Sequence, residues 1–107
     1  MAIMERVTTE SFEERILQCE IPVLVEFRTG SCSTCEAIEP ELERMAQELD
    51  GRIRIAQVDI EADPGLGLAF SVRYVPTLGL FQDGRLTGYQ VGVPSTASLE
   101  AALKRVA

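Results

Sequence analysis

An α/β fold, with a mixed sheet covered by helices on both faces, is predicted by three features of this 107-residue chain. Short apolar runs alternate with helix-period repeats. Val23-Leu24-Val25-Glu26-Phe27 is apolar on both faces except at one position. Asp83-Gly84 joins two apolar runs near the C-terminal end. The alternation implies parallel strands joined by right-handed crossovers. The near-unbroken run implies a strand buried on both sides, and the Asp-Gly pair implies an antiparallel hairpin. The expected order is β-α-β-α-β-α-β-β-α, within one domain over residues 1–107, a length that supports one core and not two.

Taken in order, Ile3 to Val7 predicts a short edge strand, interrupted by charge at Glu5 and Arg6. Thr8-Thr9-Glu10-Ser11 supplies N-cap candidates, and Ser11 with Glu14 fits a capping box. Phe12 and Ile16 share a helical face, so the first helix should end near Cys19 or Glu20, before Pro22. The buried strand through Val25 follows. Cys35, Ile38, Leu42, Met45 and Leu49 then repeat at helical spacing. Pro40 should kink that long helix, and Asp50-Gly51 should stop it.

Ile53 to Val58 reads as the next strand. Asp63-Pro64-Gly65 and Gly67 predict a poor, broken helix through Phe70. Thr77 to Phe81 and Leu86 to Val91 form the hairpin around Asp83-Gly84. Ser95 or Thr96 should cap a last helix whose Leu99, Leu103 and Val106 face one way.

Composition narrows the function. Ten basic residues against 17 acidic give a net charge of −7, which argues against nucleic acid or an anionic membrane as partner. There is no histidine, so Ser-His-Asp and Cys-His hydrolase chemistry and imidazole metal sites are excluded. Three cysteines are too few for a disulfide-stapled secreted framework. The stretch Met1 to Arg6 lacks the layout of a signal peptide, and no apolar run approaches a membrane span. The expectation is a soluble cytoplasmic protein.

Chemistry concentrates at Cys32 and Cys35, three apart in Ser31-Cys32-Ser33-Thr34-Cys35, between a strand and a helix. On a first helical turn the two side chains share a face, close enough to form a small disulfide loop. The helix N-terminus favours negative charge there, which makes a thiol a better thiolate. One nucleophilic and one resolving sulfur would equip the chain for thiol–disulfide exchange. A zinc or iron–sulfur site is the other use of such a pair. It would need further ligands, and so a dimer.

The chain resembles the thioredoxin family over nearly its whole length. The resemblance rests on the Val25-Glu26-Phe27 strand before the cysteine pair, Pro40 five residues beyond it, Val75-Pro76-Thr77, the Phe81-Gln82-Asp83-Gly84 turn and Val91-Gly92. It implies a thioredoxin-like fold and a protein thiol–disulfide oxidoreductase, most simply a reductant. It also implies protein disulfides as substrates, a separate thioredoxin-reductase-like electron donor and a monomer. No cofactor of its own is expected, and no GxGxxG pattern is present. Cys32 would attack, and Cys35 would resolve the mixed disulfide. The Val75–Pro76 bond would be cis, with Ser31, Tyr74, Val75, Pro76 and Gly92 forming a shallow substrate groove. Glu26 would be a buried acid that takes the Cys35 proton. Gln57 stands where the family commonly has a lysine, and losing that cation should push Glu26 toward its neutral form.

The departures are as informative. Arg28 stands where a tryptophan normally packs, Ser31 replaces another, and Glu36 replaces a basic residue. Arg28 would favour a Cys32 thiolate and Glu36 oppose it, and the hydroxyls of Ser33 and Thr34 are candidate donors to it. These changes keep two other readings open, a binding or chaperone module with weak redox activity and an electron carrier dedicated to one partner enzyme. Plainer readings stand beside the functional ones. Cys19 is a small hydrophobe near a helix end, Glu26 a surface carboxylate if its strand lies at an edge, and Tyr74 a packing residue. Pro76 would be a trans proline at a strand start, and Glu36, Glu39, Glu41 and Glu43 a solvated helix face.

Overall fold

The computed structural model describes residues 4–107. Its elements follow the predicted order. Strand β1 is Glu5–Arg6 and helix α1 is Thr9–Phe12, which continues into a π-helical turn, Glu13–Leu17. Strand β2 is Val23–Arg28, α2 is Ser33–Glu48, β3 is Arg54–Asp59 and α3 is Pro64–Ala69. The hairpin is β4, Thr77–Gln82, with β5, Arg85–Val91, and α4 is Thr96–Val106. Ile3, the start of the predicted first strand, lies outside the described residues.

The five strands are ordered β1-β3-β2-β4-β5. β1, β3 and β2 run parallel, while β4 and β5 are antiparallel. β2 is therefore central, paired on both sides, which removes the reading of Glu26 as an edge carboxylate. Side chains alternate along a strand. Val23, Val25 and Phe27 point into one core with Phe12, Ile16 and Leu66. Phe12, Phe70 and Phe81 stack there at centroid distances of 5.2–5.7 Å. Leu24 points the other way, into a second core with Ile38, Leu42, Met45, Leu99 and Leu103 of α2 and α4. Glu26 and Arg28 continue that α2-facing row.

Three local expectations need correcting. The first helix is capped by Thr8, and Ser11 is the third residue of the box: the Thr8 N–H donates to Ser11 Oγ at 3.0 Å. Glu14 takes no part in that exchange, and the helical segment ends at Leu17, earlier than the sequence suggests, with Gln18 N–H bonded to the Glu13 carbonyl at 2.9 Å. Glu39 does not lie on a solvated face with Glu36 and Glu43. Its side chain is 16% exposed, because it pairs with Arg28 of the neighbouring strand. α2 continues through Pro40 without ending there, and Ser95 caps α4, its Oγ accepting the Ser98 N–H at 3.1 Å.

Candidate active site

β2 delivers the chain at Arg28 to a short loop, and α2 begins directly after Cys32. Cys32 is the N-cap of α2, with extended backbone, and its Sγ accepts the Cys35 N–H at 3.1 Å. A helix start leaves its first amides unpaired, so an electron-rich sulfur at the cap meets both a donor and the positive end of the helix. The two cysteines are joined as a disulfide, with Cα atoms 5.2 Å apart. Cys32 keeps 8% of its surface exposed and Cys35 none, so an incoming sulfur can reach only the first. The Thr34 hydroxyl lies 3.4 Å from Cys32 Sγ. A disulfide sulfur has no hydrogen to give, so the hydroxyl is the donor. The companion expectation for Ser33 is not met: it is exposed, and among the described residues Thr34 alone brings a hydroxyl to this sulfur.

Strand register brings Pro76 and Gly92, two of the residues expected to form a groove, to one end of the sheet. Phe27 pairs with Thr77 and Thr77 with Val91, so Pro76 and Gly92 lie where β2 hands over to the cysteine loop. The Val75–Pro76 peptide is cis, as the resemblance implied, and the trans reading is dropped. The Pro76 carbonyl accepts the Gly92 N–H at 2.8 Å, with Gly92 at φ +85. The Thr77 hydroxyl donates to the Tyr74 carbonyl at 2.7 Å, bracing the turn. Among the described residues the Val75 amide and carbonyl take part in no backbone hydrogen bond, which leaves them free for an extended peptide. Tyr74 is 70% exposed, which places it on the surface and not in the core. Ser31 is also exposed.

Glu26 is fully buried on the α2-facing side of β2. Gln57, opposite it on β3, donates to Oε1 at 3.0 Å, while Oε2 has no partner among the described residues. Burial pushes the carboxyl up to about 8. The Gln57 bond works against that rise, and the charge of Glu39 adds to it. An amide in place of a cation thus leaves desolvation dominant.

The charge of Arg28 is already engaged by an acid. Its guanidinium pairs with Glu39 and donates from Nε to the Thr29 carbonyl at 3.0 Å. The sequence pattern did carry a signal for this arrangement. Arg28 is two residues beyond Glu26 on a strand, and Glu39 is four beyond Cys35 on a helix. Each spacing puts its two side chains on one face.

No group of three or more potential metal ligands occurs among the described residues, and no helix there is long and apolar enough to cross a membrane. Residues 3–105 match the family model described as thioredoxin. The chain is 35% identical over 100 residues to thioredoxin C-2 of Corynebacterium nephridii, covering 94% of this chain and 93% of that one. It is 39% identical over 97 residues to a thioredoxin of Acidithiobacillus ferridurans, with 91% and 90% covered. A thioredoxin of Pseudomonas aeruginosa is 34% identical over 97 residues, with the same coverage.

Proposed function

The chain belongs to the thioredoxin family and is a thiol–disulfide oxidoreductase, and from that premise we propose that it reduces protein disulfides with Cys32 as attacking and Cys35 as resolving thiol. The observation that carries this assignment is the asymmetry of the pair. Cys32 is the more exposed sulfur and receives the Cys35 N–H and the Thr34 hydroxyl, while Cys35 is enclosed.

In the reduced protein the Cys32 thiolate attacks one sulfur of a substrate disulfide. A Cys32–substrate disulfide forms, and the first substrate sulfur leaves as a thiolate that takes up a proton. Cys35 then gives its proton to the ionised fraction of Glu26. Its sulfur attacks Cys32 Sγ, closes the Cys32–Cys35 disulfide and expels the second substrate thiolate, which is protonated in turn. Two electrons pass to the substrate, and the dithiol is oxidised. Ser31, Tyr74, Val75, Pro76 and Gly92 form the surface over which an extended substrate lies, with the unengaged Val75 amide and carbonyl as its backbone partners.

Resetting the dithiol needs a separate thioredoxin-reductase-like donor, and a monomer in the cytoplasm is the setting that suits a reductant. A carrier dedicated to one partner is the second reading. It is favoured by Arg28, whose ion pair with Glu39 takes the place of an apolar wall. Insulin reduction with dithiothreitol tests the chemistry. Activity lost in Cys32→Ser is the expected result, and activity that survives it overturns the assignment. Coupling to a general thioredoxin reductase and NADPH separates the readings. Turnover there favours the general reductant, and turnover with dithiothreitol alone favours the dedicated carrier.

A further inference from the structure

The unengaged backbone of Val75 sits in a segment, 70–76, that belongs to neither α3 nor β4. Such a stretch keeps one position only where its polar groups are tied to something rigid. Two hydroxyls on one face of the sheet supply the ties. Thr77 stands opposite Val91 and Gly79 opposite Tyr89, and Gly79 faces Phe27 and Phe81. Thr77 and Tyr89 therefore both leave the sheet on the α1-facing side. The buried Thr77 hydroxyl donates to the Tyr74 carbonyl at one end of the segment. The Tyr89 hydroxyl reaches the other end, 3.0 Å from the Phe70 carbonyl oxygen and 3.2 Å from that of Ser71.

That end has need of a partner. α3 is six residues long, and Ser71 follows it at φ +55, the left-handed region where glycine is usual just past a helix. A side chain costs free energy there, and the surrounding contacts must hold it. The Val72 N–H closes the turn on the Gly67 carbonyl at 2.8 Å. The carbonyls of Phe70 and Ser71 converge on one phenol, whose single O–H donates to either. Among the described residues no other group donates to them. The Phe70 ring is fixed in the core, 5.3 Å from Phe12 and 5.2 Å from Phe81. Tyr89 itself is 45% exposed, so its hydroxyl contact and not core packing is what it brings to this turn.

Between the two ties lie Arg73 and Tyr74, both exposed, and Val75 with its free amide and carbonyl. A peptide that pairs with Val75 binds best where that backbone is already in place, because ordering it on binding costs free energy. We propose, on the groove reading given under Proposed function, that Tyr89 is a positioning residue for substrate: its hydroxyl holds the 70–76 segment so that Val75 meets an extended peptide pre-ordered. Tyr89 takes no part in the sulfur chemistry. Its hydroxyl is spent on carbonyls at the α3 end, while Cys32 Sγ is served by the Cys35 N–H and the Thr34 hydroxyl. A disulfide without a peptide backbone gains nothing from it.

Tyr89→Phe removes the hydroxyl and keeps the ring. In dithiothreitol-coupled reduction of a disulfide-bonded peptide, KM should rise about threefold or more, as for one lost hydrogen bond, with kcat unchanged. Reduction of dithiobis(nitrobenzoic acid), which has no peptide backbone to pair, should keep its parent rate. By NMR amide exchange the Val72 N–H should exchange roughly threefold faster or more. Thr77→Val removes the second tie and should raise KM in the same direction, and Thr77→Ser should restore it. Thr87→Val takes from the same strand a hydroxyl that is bonded within the hairpin, and should leave KM in place. An unchanged KM in Tyr89→Phe overturns the proposal. So does an equal loss of rate with the aromatic disulfide, or an equal rise of KM in Thr87→Val. The parent reading fails separately: activity that survives Cys32→Ser removes the assignment to Cys32, while Val72 exchange still decides whether the phenol holds the segment.

Discussion

Replacing Glu26 with glutamine removes one ionisable group from the core, keeps an acceptor for Gln57 and places an amide where Oε2 lacks a donor. In the folded protein the carboxyl holds its proton until about pH 8, whereas in the unfolded chain it ionises near 4.5. Between those values the folded state binds more protons than the unfolded state, so stability falls as pH rises. The contribution is complete below the unfolded pKa and lost above the folded one. At about 1.4 kcal/mol per pKa unit, the full difference is roughly 3–5 kcal/mol. The absence of histidine keeps the window between pH 5 and 8 clear of imidazole titration. The groups held below their usual range, Glu5, Asp63 and Glu100, matter only at lower pH, where their stabilisation is lost as they take up protons. Guanidinium-chloride unfolding of both oxidised proteins at intervals from pH 4 to 9.5 measures the effect. Glu26→Gln should match the parent within about 1 kcal/mol at pH 4 and exceed it by roughly 3 kcal/mol or more at pH 9.5. Parallel pH–stability curves would refute the claim that burial holds this acid neutral.

Three further outcomes follow from the same geometry. Thr34→Ala removes the hydroxyl donated to Cys32 Sγ, so the alkylation rate of reduced protein at pH 7 should drop roughly threefold to tenfold, as expected for one hydrogen bond to a thiolate. An unchanged rate would show that the hydroxyl does not serve the reduced sulfur. Leu42→Ala empties a fully buried position between α2 and the sheet and should cost about 2–5 kcal/mol in chemical unfolding. Gly84 sits at φ +77, and a Cβ there would come within 3.0 Å of the Leu17 carbonyl oxygen. Gly84→Ala should therefore lose about 1–3 kcal/mol in the same assay.

The framework was readable because each strong signal had one local cause. Asp83-Gly84 specifies a hairpin through its backbone needs, and Val23 to Phe27 specifies a central strand through apolarity on both faces. The cysteine spacing specifies a helix start. Pro76 was different: nothing local distinguishes a cis from a trans proline there, and only the family resemblance pointed to cis. What stayed hidden depends on two elements meeting. Glu39 read as one of four solvated acids because helical charge runs usually are. Its partner Arg28 lies 11 residues away on a strand, and the pairing exists only once α2 packs on β2. The same holds for the unpartnered Oε2 of Glu26, which depends on Gln57 of β3 filling one oxygen while no group among the described residues donates to the other. The capping box fell at Thr8 and Ser11, not at Ser11 and Glu14, for a smaller reason. Adjacent Thr, Thr, Glu and Ser all offer side-chain acceptors, and the register that wins is set by how the chain enters from β1.

Identifying the sulfur that carries the mixed disulfide tests the central claim most directly. Cys35→Ser cannot resolve the intermediate, so incubation with a disulfide-bonded peptide followed by mass spectrometric mapping should find one peptide adduct, on Cys32. An adduct on Cys19, or an unmodified Cys32 at neutral pH, would contradict the account.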